Sequence, residues 1–349
     1  MKEIKQMKDL VVGVIGLNFG AYHLKSVIAD GATVGAICDK NEKVLKKVGD
    51  ECNIPEDKRV TDWHDILNNK DINAVIVVTP DMVHREMVVA LLDAGKNVLC
   101  EKPLALEKCD IDAIVQAVER NPQCKFMVGQ ICRFTPAFVK AKELVDTGRI
   151  GELYFVESEY AHDYQHMFEG GEYNWRIDPK RHGVIGGGCH AVDLLRWIVN
   201  EDPCEVYAYG THKLLLMLPY DDATISIMKF PKSNVMGKVF VSTGCKRNYT
   251  MRTCLYGTKG TLIFDNTSPG MQFFEADEQG HGANDCKTIE IDIANHNTDY
   301  EFKKFADAII NNKVVEMNVF EGAKTVAACM AIVESSVTGK IVNPNYDFG

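Results

Sequence analysis

The stretch Leu10-Val11-Val12-Gly13-Val14-Ile15-Gly16-Leu17-Asn18-Phe19-Gly20-Ala21 decides the fold of the first part of this chain. Its apolar run predicts a strand buried on both faces, and the glycine turn after it leads into a helix. A strand, a glycine turn and a helix together aim free backbone N–H groups at a phosphate. The turn departs from G-x-G-x-x-G, because Asn18 replaces the second glycine, Ala21 replaces the third, and Gly20 comes one residue early. Taken alone, the turn is compatible with either a phosphate loop or plain tight packing.

The same alternation of short apolar runs and helical patterns extends through residues 1–130. Further short apolar runs predict parallel strands at Val34–Cys38, Ala74–Val78, Asn97–Cys100 and Phe126–Val128. The segments between them suit crossover helices, as in His84–Ala94, where Gly95 follows as a helix stop. A series of βαβ units predicts a doubly wound, Rossmann-type α/β domain that binds a dinucleotide.

Residues 131–349 have a different pattern, which predicts an α+β domain. Helical segments are predicted at Ala137–Val145, Thr298–Asn311 and Phe320–Thr338. Strand-like runs, with little helix among most of them, are Leu153–Tyr160, Val206–Tyr209, Ala223–Met228, Val235–Val241, Met251–Tyr256 and Thr261–Phe264. Such a block predicts an open, mostly antiparallel sheet. The cleft between the two domains is the expected place for a small-molecule site.

Composition narrows the function classes. The net charge of −10 argues against binding to a nucleic acid backbone, which needs clustered Lys and Arg. No apolar run approaches the roughly 18–20 residues that span a membrane. The 12 cysteines form no C-x-x-C pair and predict reduced thiols. With a charged N-terminus that lacks a signal-peptide pattern, we expect a cytoplasmic protein.

Asp39 follows the second predicted strand, at the spacing expected for a carboxylate that binds the ribose hydroxyls of a dinucleotide. A carboxylate there repels a 2′-phosphate, so NAD is favoured over NADP. Lys40 beside it offers a cation for such a phosphate and keeps NADP open. The alternative role for Asp39 is a helix N-cap.

Two further segments, Val78–His84 (VTPDMVH) and Ala94–Leu104 (AGKNVLCEKPL), resemble the Gfo/Idh/MocA oxidoreductase family, named after glucose–fructose oxidoreductase and inositol dehydrogenase. The resemblance extends through Gln130–Phe134 and residues 143–153 to the C-terminal FADAIINNK and SSVTGKIV. It implies NAD(P) bound by the first domain. It also implies a carbohydrate-like substrate on the second domain and a homo-oligomer, either a dimer or a tetramer.

The loop, Asp39 and the resemblance together imply a set of cofactor-binding residues, which are Gly16, Leu17, Asn18, Phe19, Asp39, Thr79, Pro80, His84, Glu101 and Lys102. The resemblance assigns Glu101 to the nicotinamide ribose and places Lys102 near both ribose and substrate. An ammonium group at a strand end can stabilise the charge that develops on a reacting hydroxyl. Pro103 restricts Lys102 to extended backbone, and in this family the bond between them is often cis. A lone lysine would otherwise be read as a surface residue.

The family's second-domain motif has an aspartate four residues before a histidine and another aspartate three residues after it. His190 and Asp193 match the last two, whereas Gly186 stands at the first aspartate. We expect His190 to be the acid–base group, since hydride loss from an alcohol carbon requires loss of the hydroxyl proton. Asp193 is expected to be structural, paired with His190 or with nearby backbone.

Gly186 leaves three possibilities. His190 acts alone, with Lys102, or with a carboxylate from elsewhere, for which Asp163 and Asp178 are candidates. Alternatively, the glycine makes room for a bulkier substrate. In the third case, alcohol oxidation is lost.

Other expected substrate contacts have aromatic faces or forked donors, as sugar ligands require, and they are Arg133, Tyr164, Trp175, Arg176 and Lys180. A metal site from Cys189 with His162, Asp163, His166 and His182 is a weaker alternative, because it needs an α-helix that carries His162 and His166. We therefore expect no metal.

The leading hypothesis is an NAD(P)-dependent oxidoreductase acting on a secondary alcohol of a sugar, sugar acid or cyclitol. One alternative is redox-neutral elimination or glycoside cleavage with NAD retained. The other is a non-catalytic protein that senses a cofactor or sugar.

Overall fold

In the computed structural model, which describes residues 4–169, 174–292 and 297–349, the chain divides into two compact units. The first unit contains the described residues up to Ile131, together with Asn297–Ala323 and Asp347–Gly349. The second contains the described residues from Cys132 to 292, together with Lys324–Tyr346.

The first unit is built on a six-stranded parallel sheet in the order β3-β2-β1-β4-β5-β6. Its strands are β1 Val11–Ile15, β2 Thr33–Cys38, β3 Arg59–Val60, β4 Ala74–Val77, β5 Asn97–Glu101 and β6 Phe126–Gly129. The chain leaves β1 in one direction along the sheet to reach β2 and returns to the other side of β1 at β4. Ligands of doubly wound sheets bind at such a switch point, outside the carboxyl ends of the strands. The predicted Rossmann-type fold is confirmed.

Helices complete the first unit, and their bounds are α1 Gly20–Ala29, α2 Glu42–Glu51, α3 Trp63–Asn68, α4 His84–Asp93, α5 Lys108–Arg120 and α9 Thr298–Ile310. α4 ends as its sequence predicts. Gly95 takes a left-handed φ of +78° and its N–H donates to the carbonyl of Leu92 at 2.8 Å. α2 begins at an Asn41 cap, whose side chain accepts from the backbone N–H of Lys43.

The segment that contains α9 lies in the first unit, although the predicted second domain comprises residues 131–349. Ser26 Oγ on α1 donates to Thr298 Oγ1 at 2.9 Å, and Val128 N on β6 donates to Met317 O at 2.9 Å. Phe302 and other apolar residues of α9 are fully buried. The periodicity of α9 predicts a helix with one apolar face, but it does not say which sheet that face will cover.

The second unit contains an eight-stranded sheet in the order β14-β13-β12-β11-β7-β10-β9-β8. Its strands are β7 Leu153–Ala161, β8 Glu205–Thr211, β9 Ala223–Phe230, β10 Val235–Ser242, β11 Thr253–Gly257, β12 Gly260–Phe264, β13 Gly270–Glu275 and β14 Lys287–Glu290. All neighbouring strands pair antiparallel except β7 and β10, which are parallel. The mostly antiparallel sheet was predicted, but β13 and β14 were not. β14 is short and largely exposed, so it lacks the apolar pattern of a strand.

The remaining helices are α6 Pro136–Asp146, α7 Gly183–Gly186, α8 Cys189–Val199 and α10 Val319–Thr338, the last of which starts in the first unit. α8 packs on β7 and β10 and covers one face of the sheet. β9 alternates buried and exposed residues, as expected for a sheet with one covered face. On the described chain the opposite face exposes apolar side chains, among them Ile225, Ile227 and Met236.

Among the described residues, no helix combines the length and the apolar composition that crossing a bilayer requires.

Candidate active site

The turn after β1 has the geometry of a phosphate loop. Gly16 has φ +87°, and a Cβ there would lie 2.4 Å from the carbonyl oxygen of Val78, so this position requires glycine. Asn18 is exposed and is not among the residues with positive φ, so its replacement of a glycine causes no backbone strain. A Cβ on Gly20 would lie 3.3 Å from Val14 Cγ1. Gly20 therefore permits the close helix–strand packing that the third fingerprint glycine usually provides.

Asp39 lies at the end of β2 and faces this loop. Its Oδ2 accepts from the backbone N–H of Leu17 and its Oδ1 from that of Asn41, each at 2.8 Å. The N-cap of α2 is Asn41, so the alternative role of Asp39 as a cap is wrong. Each carboxylate oxygen can accept a further hydrogen bond, which fits a pair of ribose hydroxyls.

The loops after β4 and β5 meet through the buried ring of His84. Its Nδ1 lies 3.0 Å from the carbonyl oxygen of Pro103, and its Nε2 lies 3.0 Å from that of Thr79. The peptide bond between Lys102 and Pro103 is cis. Thr79, Pro80 and Lys102 are half-buried, whereas His84 is fully buried. The buried ring of His84 therefore stabilises the loops after β4 and β5.

Glu101 ends β5 with only 6% of its surface exposed. Its Oε1 lies 3.0 Å from Nε2 of His23, and its Oε2 accepts from the N–H of Lys102 at 3.1 Å. Burial raises the pKa of Glu101, whereas the hydrogen bond from His23 and the charge of Lys102 lower it, and the net shift is downward. A Cβ on Gly129 would lie 3.2 Å from Glu101 Cδ, so the facing strand carries a glycine here.

His23 is a site residue that sequence reasoning missed. It lies on α1, three residues after Gly20, and is fully buried. A histidine on the inward face of the helix after a phosphate loop was the available signal. Its partner could not be found from the sequence, because Glu101 lies 78 residues away in the chain.

In the second unit, the predicted base His190 lies at the start of α8 with 3% of its surface exposed. The ring of Tyr160 stacks on it at a centroid distance of 6.2 Å, and the hydroxyls of Tyr160 and Tyr164 are 2.8 Å apart. A Cβ on Gly187 would lie 2.5 Å from the Tyr160 ring and 2.6 Å from the Tyr164 hydroxyl. The glycine run before His190 thus lets both tyrosines approach the helix start.

Tyr160 and Tyr249 were not predicted as site residues. Tyr249 contacts both Tyr160 and His162, with ring centroids 5.4 Å and 5.0 Å apart. Burial, together with the neighbouring hydroxyls, raises the pKa of Tyr160 well above its usual value, and burial does the same for Tyr249. Both hydroxyls therefore keep their protons at neutral pH. A tyrosine at the end of an alternating strand reads as core, which is why the sequence did not distinguish Tyr160.

The place of the missing aspartate is occupied by an arginine. A Cβ on Gly186 would lie 2.3 Å from Nη1 of Arg181. The guanidinium of Arg181 lies 4.4 Å from the ring centroid of Trp175, and that of Arg176 lies 4.3 Å from the same ring. The guanidinium groups of Arg176 and Arg181 therefore both lie close to the ring of Trp175.

The two acids proposed to replace the aspartate have local partners. Asp163 accepts from Lys246 Nζ at 3.2 Å, and the N–H of Gln165 is the largest contribution to its lowered pKa. Asp178 accepts from the N–H of Lys180 at 2.9 Å, within an exposed turn. These contacts give neither acid a structural link to His190.

Arg133 differs from its predicted role. Its Nε and Nη2 donate to the two carboxylate oxygens of Asp193 at 2.8 Å and 2.7 Å, in a buried ion pair. Thr325 Oγ1 also donates to Asp193, at 2.8 Å. The guanidinium that we expected to bind a substrate therefore forms an ion pair within the second unit. Asp193 is structural as expected, but its partners are Arg133, Thr325 and Arg196, whose Nη1 lies 3.7 Å from its Oδ1.

The alternative metal site lacks its helix. His162 follows β7, and His166 lies in a 3₁₀ turn, Gln165–Phe168, so their spacing does not place them on one α-helical face. Nδ1 of His182 accepts from the N–H of Val184 at 3.2 Å, and burial lowers the pKa of His182 to about 4.

A turn with the geometry of a phosphate loop, a carboxylate after β2 and a Glu-Lys-Pro strand end, in a chain that also contains an α+β unit, are typical of dinucleotide-dependent oxidoreductases. Residues 10–130 match the model of an oxidoreductase family with an NAD-binding Rossmann fold. Residues 138–263 match the GFO/IDH/MocA C-terminal domain. The chain therefore belongs to the Gfo/Idh/MocA family, and the prediction of an NAD-binding enzyme of this family is confirmed.

Curated relatives have similar lengths. The chain is 28% identical over 262 residues to inositol 2-dehydrogenase of Salmonella paratyphi B, covering 72% of each chain. It is 25% identical over 332 residues to inositol 2-dehydrogenase 2 of Saccharopolyspora erythraea, covering 94% of this chain and 93% of the other. A solved levoglucosan dehydrogenase in complex with NADH and L-sorbose shares the fold, with a TM-score of 0.86 at 22% identity, over 96% of this chain and 99% of the other.

Proposed function

We propose that the protein is an NAD-dependent dehydrogenase acting on a secondary alcohol of a sugar, sugar acid or cyclitol. The observation that carries the proposal is Glu101-Lys102-Pro103 at the carboxyl end of β5, at the same sheet edge as the phosphate loop. The relatives named inositol 2-dehydrogenase support this substrate class. Bound NAD supplies the hydride acceptor for oxidation, or NADH the hydride for reduction.

In this proposal Gly16, Leu17, Asn18 and Phe19 hold the phosphates and Asp39 accepts from ribose hydroxyls. Lys102 is half-buried, so its ammonium can reach a ligand while water screens it less than at the surface. It donates to the reacting oxygen and stabilises the negative charge that develops there. His190 takes the hydroxyl proton during oxidation and returns it during reduction.

The substrate contacts we propose in the second unit are Tyr164, Trp175, Arg176 and His190. Tyr160 and Tyr249 join them, because both rings contact that of His162 and the Tyr160 ring also stacks on that of His190. Aromatic faces of this kind pack against sugar C–H groups, and the tyrosine hydroxyls bind sugar hydroxyls.

The test is a panel of inositols, anhydrosugars, aldoses and sugar acids with NAD and with NADP, followed by absorbance of the reduced cofactor. Lys102→Ala should lower kcat about 100-fold or more on the substrate found. The matched control is Lys70→Ala, which removes a fully exposed lysine of the same unit. Full turnover by the Lys102 variant would contradict the assigned role.

Gly186 favours a second candidate, in which NAD is retained and the net reaction is redox-neutral, because Arg181 replaces the expected acid there. The stoichiometry of cofactor and product separates the two candidates. In the first, reduced cofactor accumulates in proportion to product. In the second, NAD is needed only in catalytic amounts and no reduced cofactor accumulates. A protein that binds NAD but turns over nothing in the panel would favour a sensing role. The dimeric or tetrameric state and the cytoplasmic location stay predictions.

A further inference from the structure

Three buried titratable groups form a row behind the Glu-Lys-Pro strand end of the first unit. His23 on α1 and Glu301 in the first turn of α9 are fully buried, and Glu101 is 6% exposed. His23 Nε2 lies 3.0 Å from Glu101 Oε1, and His23 Nδ1 lies 3.9 Å from Glu301 Oε2. The imidazole therefore stands between two carboxyl groups.

The far end of the row has unused hydrogen-bonding capacity. Within the part of the chain that the structure describes, His23 Nδ1 and both carboxyl oxygens of Glu301 have no hydrogen-bond partner. Buried polar atoms without partners are costly and rare, so they call for a specific explanation. Burial and the negative charge of Glu101 raise the pKa of Glu301 well above its usual value, so Glu301 favours its protonated form.

A protonated Glu301 sets the order of hydrogen-bond donors and acceptors along the row. Its O–H faces Nδ1, which is the acceptor nitrogen when the imidazole carries its hydrogen on Nε2. Nε2–H then donates to Glu101, which stays ionised. The distance of 3.9 Å between Nδ1 and Oε2 must shorten by about 1 Å for a hydrogen bond to form. One potential ligand atom from each of His23, Glu101 and Glu301 lies within 4.8 Å of the other two, so the three groups are closely clustered.

Two further contacts hold the row at the cofactor end. The ring of Phe19, in the phosphate loop, meets the His23 ring edge-on at a centroid distance of 5.5 Å. Glu101 Oε2 accepts from the N–H of Lys102, and Oε1 lies against His23. Because both oxygens are held, the carboxylate has little freedom to rotate.

We propose that His23 and Glu301 are positioning residues, which fix the tautomer of one imidazole so that Glu101 is held ionised and in one orientation to bind the ribose of NAD. The inference rests on the proposed function only in the assignment of Glu101 to the cofactor. It makes α9, which follows the sheet of the second unit in the chain, part of the support of the cofactor site through Glu301.

The test measures the Kd of NADH, by nucleotide fluorescence, for paired variants. His23→Leu removes the donor to Glu101 and should weaken binding about tenfold or more, as for other charge-assisted hydrogen bonds. His23→Gln restores a donor and should recover affinity to within about threefold of the wild type. Glu301→Gln keeps a donor for Nδ1, whereas Glu301→Leu does not, so the leucine variant should bind more weakly than the glutamine variant.

Matched controls are His64→Gln and Glu316→Gln, which make the same changes at exposed positions of the same unit and should leave Kd unchanged. Affinity of His23→Leu equal to the wild type, or a glutamine variant as weak as the leucine variant at His23 or at Glu301, would overturn the proposal.

Nitrogen NMR of the wild-type imidazoles, with the His23 signal assigned by His23→Gln, tests the row without depending on cofactor binding or on the folding of the leucine variants. The hydrogen is expected on Nε2 only, and a hydrogen on Nδ1, either alone or together with one on Nε2, would refute the row. If the wild type bound no NADH, the proposed function would fail. The NMR measurement of the His23 tautomer would still test the row.

Discussion

The raised pKa of Glu301 leads to a prediction about protein stability that does not depend on ligands. A buried carboxyl with a raised pKa binds its proton more tightly in the folded protein than in the unfolded chain. The folded state therefore holds more protons above the ordinary value of 4.5, and its stability falls as the pH rises through the window between 4.5 and the folded pKa. Glu301→Gln has no proton to lose, so it should be increasingly stabilising relative to the wild type as the pH rises.

The magnitude follows from the linkage relation. While the folded protein keeps the proton and the unfolded chain does not, the difference in the free energy of unfolding between variant and wild type grows by about 1.4 kcal/mol per pH unit. The two stability curves should therefore separate progressively as the pH rises from 4.5 towards the folded pKa. All other titrating groups are shared by the two proteins and cancel to first order in the difference.

The assay is urea unfolding at several pH values, followed by the fluorescence of Trp63. Trp63 is the only tryptophan of the first unit, so a background in which Trp175 and Trp197 are replaced by Phe reports on that unit alone. This restriction matters because the two units can unfold separately. Glu316→Gln, at an exposed position, should run parallel to the wild type at every pH. Parallel curves for Glu301→Gln, or a difference that shrinks as the pH rises, would refute the raised pKa and the protonated state.

Three further predictions concern other parts of the chain. Asp39→Ala should weaken NAD binding about tenfold, as measured by calorimetric titration, because Asp39 is proposed to bind ribose hydroxyls; unchanged affinity would rule this out. Gly187→Ala should displace Tyr160, since its Cβ would lie 2.5 Å from that ring, and so reduce turnover in a folded protein; an unchanged kcat/KM would count against a site there. Asp193→Ala should lower the free energy of unfolding by about 3–5 kcal/mol, because it leaves the guanidinium of Arg133 buried without its carboxylate; a loss below about 1 kcal/mol would contradict the buried ion pair.

Local signals account for what could be predicted from the sequence. The apolar run before Gly16 predicts β1 correctly because a strand covered on both faces needs uninterrupted apolar residues. Asp39 was identified because its distance from Gly16 along the chain is set by one helix and one strand. Gly20 shows where a fingerprint is too strict, since the close packing it permits matters more than its position in the pattern.

Side-chain pairing between distant segments accounts for most of the rest. Arg133 has the residue type of a substrate contact, and only the fold shows that Asp193, 60 residues later, takes its guanidinium. Tyr160 lies on a strand whose alternation predicts core, so nothing local separates it from a packing tyrosine. Arg181 fills the space at Gly186 because the turn before α7 brings the two together, which residue spacing alone does not reveal.

The position of α9 bears on what the first unit needs in order to bind its cofactor. A chain that ended at Ile131 would retain the phosphate loop, Asp39 and Glu101, but it would lose Glu301 and the helix that covers His23. Water would then reach the imidazole and weaken the electrostatic terms that hold Glu101 in place, since exposure raises the effective dielectric around a charge. The residues that carry the dinucleotide fingerprint are therefore not the whole cofactor domain. The return of the chain through α9 supplies the buried end of the row on which the orientation of Glu101 depends.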